Sequence, residues 1–194
     1  SFERTVHPFT HIQLTVKGLA MMADQVEKVG NMVVYEIPLS TDDFGFIDSN
    51  QCIRLGKILD KYRLGWLEDM IPWFYTEKLK TISSAIETPV LTGEDMYMLS
   101  GMLGGFKKLI DAQAVDIIQP DLVSAGGILE TKRIGDYAEE AGIPMALHAN
   151  STPVAFMANV HCAAATEGFL VLEYHFADNP TWANIVNMTD SQPI

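Results

Sequence analysis

The sequence predicts an α/β fold: a parallel (β/α) barrel of the TIM type, incomplete in this chain, with six barrel strands legible. Three observations carry that expectation. Short apolar runs alternate with longer stretches whose apolar residues recur at spacings of three and four. Each run ends on an ionisable residue, namely Asp42, Glu68, Glu94, Asp121, His148 and Glu173, at intervals of 26, 26, 27, 27 and 25. No Gly-x-Gly-x-x-Gly fingerprint follows any run, which argues against an open dinucleotide-binding sheet. In a barrel all strand C-termini converge on one face, so six ionisable strand ends have a common destination.

Residues 1–32 precede the repeat. His7 to His11 read as an irregular entry segment, and Gly18 to Val29 as a helix with Leu19, Met22, Val26 and Val29 on one face. The first strand is expected over Met32 to Leu39, before a loop Asp42-Asp43-Phe44-Gly45. Asp48, with Gln51 three residues on, fits a helix cap, and its helix runs to about Tyr62. Leu64 to Glu68 is the second strand. A loop through Pro72 leads to a helix over Thr76 to Ile86, with Leu79, Ile82 and Ile86 inward. Pro89 to Gly93 is the third strand, followed by a Met- and Gly-rich loop and a helix around Phe106, Leu109 and Ile110.

Val115 to Ile118 is the fourth strand. Ser124 to Gly127 reads as a turn opening a helix that carries Ile134, Tyr137, Ala138 and Ala141 on one face and stops at Gly142-Ile143-Pro144. Pro144 to Leu147 is the fifth strand. Thr152-Pro153 starts a helix through Ala165 that is apolar nearly all round and is therefore expected to be largely buried. Phe169 to Leu172 is the sixth strand. Residues 33–176 thus form the expected partial barrel, and 177–194 a tail without assignable pattern.

Composition narrows the class. The chain has 194 residues, 48% hydrophobic, which suits one domain. Cys52 and Cys162 fall in predicted helices, against a disulfide framework and in favour of a reducing compartment. No run of 18 apolar residues and no signal pattern is present, so a soluble, cytoplasmic chain without a membrane segment is expected. A formal net charge of −12 argues against a nucleic-acid partner.

The strand ends suggest chemistry. Asp42, Glu68 and Glu94 come from three successive strands and would repel one another unless a cation joined them. Oxygen-only ligands suit a hard cation such as Mg²⁺. Any one of these acids could instead cap a helix or meet a lysine; the equal period favours a shared site. Asp48 is the weaker ligand candidate, because it lies only 20 residues before Glu68 and capping accounts for it. Asp121 and His148 sit on the next two strands, where a carboxylate would orient the imidazole and raise its basicity, giving a general base. Glu173 could be kept protonated to hydrogen-bond an oxyanion, or could orient substrate. His7, His11 and His161 read as ordinary histidines, and Lys107, Lys108, Lys132 and Arg133 as solvated helix residues.

Trp66-Leu67-Glu68-Asp69, Thr92-Gly93-Glu94, Gln119-Pro120-Asp121 with Gly126-Gly127, and His148 together resemble the enolase superfamily, specifically its mandelate racemase group. The resemblance covers about Val33 to Glu173. It implies that Asp42, Glu68 and Glu94 bind one Mg²⁺, that Asp121 and His148 form the acid/base dyad, and that Glu173 is the acid of the last strand. It also implies abstraction of a proton alpha to a carboxylate, with the metal stabilising the developing charge. Two departures stand out: Met70 follows the acidic pair Glu68-Asp69 where proline is usual, and Phe44 replaces histidine in the Asp-x-His-Gly form of some acid-sugar dehydratases. A complete barrel needs about 250 residues, and such enzymes add a capping domain, so a fragment or part of a longer protein is expected. The resemblance points first to a dehydratase of a small sugar-acid carboxylate. A racemase, epimerase or cycloisomerase is the alternative, a non-catalytic metal-binding remnant the reading from another class, and a homo-oligomer the implied assembly.

Overall fold

The computed structural model describes residues 2–4, 12–34, 36–42, 45, 47–175 and 182. Its first strands, β1 (Phe2–Arg4) and β2 (Ile12–Leu14), pair antiparallel, with Phe2 opposite Leu14. There follow α1 (Val16–Met32), β3 (Thr41–Asp42), α2 (Ser49–Leu59), β4 (Leu67–Glu68), α3 (Thr76–Ser83), β5 (Val90–Thr92), α4 (Gly105–Asp111) and β6 (Ile117–Ile118). The chain continues through α5 (Leu122–Ala125), α6 (Ile128–Glu140), β7 (Met145–Leu147), α7 (Pro153–Ala164) and β8 (Phe169–Leu172). Strands β3 to β8 stand in sequence order in one six-stranded sheet, the α/β alternation that the period implied. Two compact units make up the chain: unit 1 is Ser1–Thr92 with Lys108–Ile117, and unit 2 is Gly93–Lys107 with Ile118–Ile194.

In unit 1 the local signals are capping and burial. Asp48 caps α2: its Oδ1 accepts the N–H groups of Asn50 (2.9 Å) and Gln51 (3.1 Å), and its Oδ2 accepts Gln51 Nε2 at 2.9 Å. Burial works against the charge, but the donors from Gln51 and Asn50 outweigh it and hold the carboxyl below its ordinary value. Strand residues Leu67, Val90 and Leu91 and helix residues Cys52, Leu55, Leu79 and Ile82 are fully buried. Strands covered on both faces explain why these runs are continuously apolar rather than alternating. Full burial of each large side chain stabilises by about 1.5–3 kcal/mol.

The expected strand over Met32 to Leu39 is corrected. Helix α1 continues to Met32, Val33 caps it by donating to Val29 O, and Val34 turns the chain with φ 55°. Met32, Val34 and Ile37 are exposed. Pairing begins only at Leu39, whose carbonyl accepts Gly65 N–H at 2.7 Å, and the assigned strand is Thr41–Asp42. An apolar run next to a helix C-terminus served the turn rather than the sheet. His7 to His11, Phe44 and most of the tail lie outside the described residues.

In unit 2 the core gathers Phe106, Ile118, Ile134, Ala138, Met145 and Leu147, all fully buried. Gly93 has φ 143°, and a Cβ there would stand 2.8 Å from Phe106 Cε1 and 3.0 Å from Gln119 N, so only glycine fits before Glu94. The Met-rich loop is pinned by Met98 N–H to Ala125 O (3.3 Å) and Leu99 N–H to Glu130 Oε1 (2.9 Å). The expectation of a largely buried final helix is corrected: in α7 only Asn159, Cys162 and Ala163 are buried, and Val154 is 57% exposed. The helix packs on α5, α6 and β8, so only part of its circumference is covered. Lys107 also departs from a solvated reading: it is half-buried, with Nζ 2.5 Å from Tyr137 Oη. Both cysteines are free and buried. Among the described residues no helix is long and apolar enough to cross a membrane.

Candidate active site

Unit 2 assembles a histidine-centred cluster from four loops that each follow a strand. After β6, Asp121 serves as N-cap of α5, and its Oδ1 accepts Val123 N–H (2.7 Å) and Ser124 N–H (3.0 Å). The other oxygen, Oδ2, is left for His148 Nδ1 at 2.8 Å. The backbone brings them together: Asp121 and His148 form a parallel bridge in which His148 N–H donates to Pro120 O at 3.2 Å. One short carboxylate thus ends a strand, starts a helix and fixes an imidazole.

The ring's second nitrogen faces two more acids. His148 Nε2 lies 3.1 Å from Glu94 Oε2 and 3.4 Å from Glu173 Oε2. Glu173 is placed by its own N–H, which donates to Leu147 O at 2.9 Å just beyond β8. Its Oε2 also accepts Ala149 N–H at 3.0 Å, and its Oε1 meets His175 Nε2 at 3.0 Å. The His148 side chain is 16% exposed and Asp121 10%. Burial by itself would push the imidazole towards its neutral form. The hydrogen bond to Asp121 and the charges of Glu173, Glu94 and Asp121 outweigh it and raise its pKa to about 9. Burial likewise opposes the charge of Asp121, yet its bonds to His148 and to the Ser124 and Val123 amides hold that carboxyl below its ordinary value.

Unit 1 brings Asp42 and Glu68 together by register: they are Cα partners across the parallel pair β3–β4. Glu68 Oε2 accepts Trp66 Nε1–H at 3.0 Å. The neighbouring Asp69 has φ 45°, and its Oδ1 accepts the Thr92 hydroxyl. Two carboxylates on adjacent strands offer the oxygen donors that a hard cation takes. Among the described residues, no group of three His, Cys, Asp or Glu side chains stands arranged as a metal cage. Glu94, the third acid of the expected metal set, lies in unit 2 beside His148.

A family model described as "Enolase C-terminal domain-like" matches residues 2–193. The chain belongs to this family. Among its relatives, D-xylonate dehydratase of Haloferax volcanii is 38% identical over 137 residues, a match covering 71% of this chain and 32% of that protein. D-mannonate dehydratase of Xanthomonas oryzae is 30% identical over 143 residues, covering 73% of this chain and 33% of the relative. A mandelate racemase/muconate lactonizing enzyme-like protein from Rubrobacter xylanophilus superposes with a TM-score of 0.85 at 32% identity, over 91% of this chain and 44% of that one. The chain therefore spans about a third of the two dehydratases' length. Within this enolase-type domain, the histidine-centred cluster contains Glu94, Asp121, His148 and Glu173 of the sequence-predicted residues. His175 was not predicted. Its available signal was the spacing Glu173-x-His175, since residues two apart in extended chain share a face.

Proposed function

We propose that the protein acts as a Mg²⁺-dependent dehydratase of sugar acids, removing the alpha proton of the carboxylate substrate and eliminating water. The single observation that carries this reading is the half-buried imidazole of His148, held by Asp121 on one nitrogen and directed at two glutamates by the other. Asp121 accepts from Nδ1–H and so leaves Nε2 as the proton-carrying atom. With its pKa raised to about 9, the ring carries a proton at neutral pH and suits the role of general acid. The alpha proton passes to a carboxylate of the cluster, and the electron pair of its C–H bond forms the C2=C3 bond. The 3-hydroxyl, protonated by Nε2–H, leaves as water while the C–O bond breaks, and the resulting enol tautomerises to the 2-keto product. Glu173, facing N–H groups on both oxygens, acts as an acceptor that orients the ring or the substrate rather than as an oxyanion donor. Of the acids the sequence assigns to the metal, Asp42 and Glu68 offer adjacent oxygen donors that would hold Mg²⁺, which would supply a Lewis acid for charge developing on the substrate carboxylate. The relatives named as D-xylonate and D-mannonate dehydratases support the substrate class.

The test is incubation of the protein with a panel of acid sugars in D₂O. A 2-keto-3-deoxy acid formed by the wild type and lost in His148→Asn is the expected result. Deuterium exchange with the hydroxyl retained would replace dehydration by epimerisation. Product formation undiminished in His148→Asn would overturn the assignment of the histidine.

A further inference from the structure

Glu173 is the most exposed of the three acids around His148, at 31% of its side chain against 22% for Glu94 and 10% for Asp121. A half-exposed glutamate has a broad, two-fold terminal torsion and considerable rotamer freedom to lose. One backbone N–H, from Ala149, holds Oε2. Both that amide and His148 Nε2, at 3.4 Å, face the one oxygen, which leaves the carboxylate able to swing about it. The opposite oxygen, Oε1, is closed off by His175 Nε2 at 3.0 Å. His175 stands two residues beyond Glu173, past the end of β8, and its side chain is 52% exposed. A residue that far into solvent contributes little core packing, so among the described residues its contact with Glu173 is its main structural consequence.

We propose that His175 is a positioning residue of this cluster: donation from its Nε2–H to Oε1 fixes the Glu173 carboxylate so that Oε2 stays on the Ala149 amide and beside His148 Nε2. The chain of contacts runs His175, Glu173, then Ala149 N–H and His148 together. His175 meets Glu173 Oε1, and through Glu173 it acts on His148. The consequence for turnover rests on the dehydratase reading; the positioning does not.

The experiment is NMR on the ¹⁵N-labelled 194-residue chain, comparing wild type, His175→Ala, His175→Gln and Glu173→Gln. The Ala149 amide proton reports its bond to Oε2 directly. In His175→Ala it is expected to move upfield towards its position in Glu173→Gln, and in His175→Gln, whose side-chain amide can still donate, to return towards wild type. An Ala149 resonance unchanged in His175→Ala, or displaced equally in both His175 variants, overturns the proposal. Thermal midpoints of the variants, expected to match wild type, separate positioning from unfolding. In turnover of an acid sugar, His175→Ala is expected to lower kcat roughly tenfold with KM nearly unchanged, the signature of a misplaced catalytic group. Absence of turnover by the wild type on every acid sugar sinks the dehydratase reading alone, because the amide shift still decides the positioning.

Discussion

Unit 1 and unit 2 both end their strands on acids, and they hold them differently. In unit 1, Asp42 and Glu68 stand side by side on β3 and β4, with an indole N–H on Glu68 and a hydroxyl on the neighbouring Asp69. In unit 2, Glu94, Asp121 and Glu173 all converge on one imidazole. The strand-end position is common to both; the chemistry follows from what the next strand end supplies. A basic residue at one such position gathers carboxylates and becomes a proton carrier. Carboxylates alone, aligned by register, make an oxygen-donor pair suited to a hard cation.

The sharpest way to break this contrast is to remove the hub of unit 2. His148→Asn should lower turnover of an acid sugar by about 10²–10⁴-fold, while Mg²⁺ titration by calorimetry should still show saturable binding. Loss of metal binding in that variant would mean the two regions are not separable in role.

The pH dependence of stability sharpens the same point at the next size. His148 has a folded pKa of about 9 against an ordinary 6.5. The folded state therefore binds its proton more tightly than the unfolded chain. That stability is fully present below pH 6.5 and is lost as pH rises through about 9, by at most about 3 kcal/mol. Asp121, whose pKa is lowered, contributes in the opposite sense: its share is present above 3.8 and is lost as pH falls through its folded value. Urea unfolding at pH 6 and pH 10, in chelator, should show the alkaline loss in wild type and a much flatter response in His148→Gln.

In unit 1, Trp66→Phe deletes the N–H on Glu68 and should weaken Mg²⁺ binding about tenfold, as the loss of a group that orients a ligand does. Glu68→Gln should abolish saturable binding by the same calorimetry, which sets the scale for the indole. The smallest effect should come from a residue outside both sites: Asp48→Ala removes only the cap of α2 and should cost about 1 kcal/mol in thermal unfolding, with metal binding unaltered. A loss of Mg²⁺ affinity there would return Asp48 to consideration as a ligand.

Much of the architecture was legible because it depends on neighbours along the chain. The cap at Asp48 and the helix start at Thr152-Pro153 rest on side chains meeting backbone N–H groups two or three residues away, and the helix stop before Pro144 on the Ala141 N–H reaching the carbonyls of Ala138 and Glu139. The strand ends were legible because each β/α unit consumes a similar length, so position in the repeat indicates position at the sheet's edge. The misplaced first strand shows the limit: Met32 and Val33 are apolar and β-prone in pattern, but α1 runs into them and a positive φ at Val34 ends it. Helix α7 shows another. Its composition is apolar all round, yet how much of it is covered depends on which elements pack against it.

What the sequence by itself determined was the α/β alternation, the family and the set of ionisable residues at the strand ends. The tertiary structure decided which of them meet. Glu94 has the same place in the repeat as Glu68, but its carboxylate lies on His148 Nε2, and Glu173 turns one oxygen to His148 and the other to His175. Periodicity fixes where along an element a residue falls; a hydrogen bond of about 3 Å is set by side-chain rotamers and by distant strands brought side by side, which no spacing along the chain records.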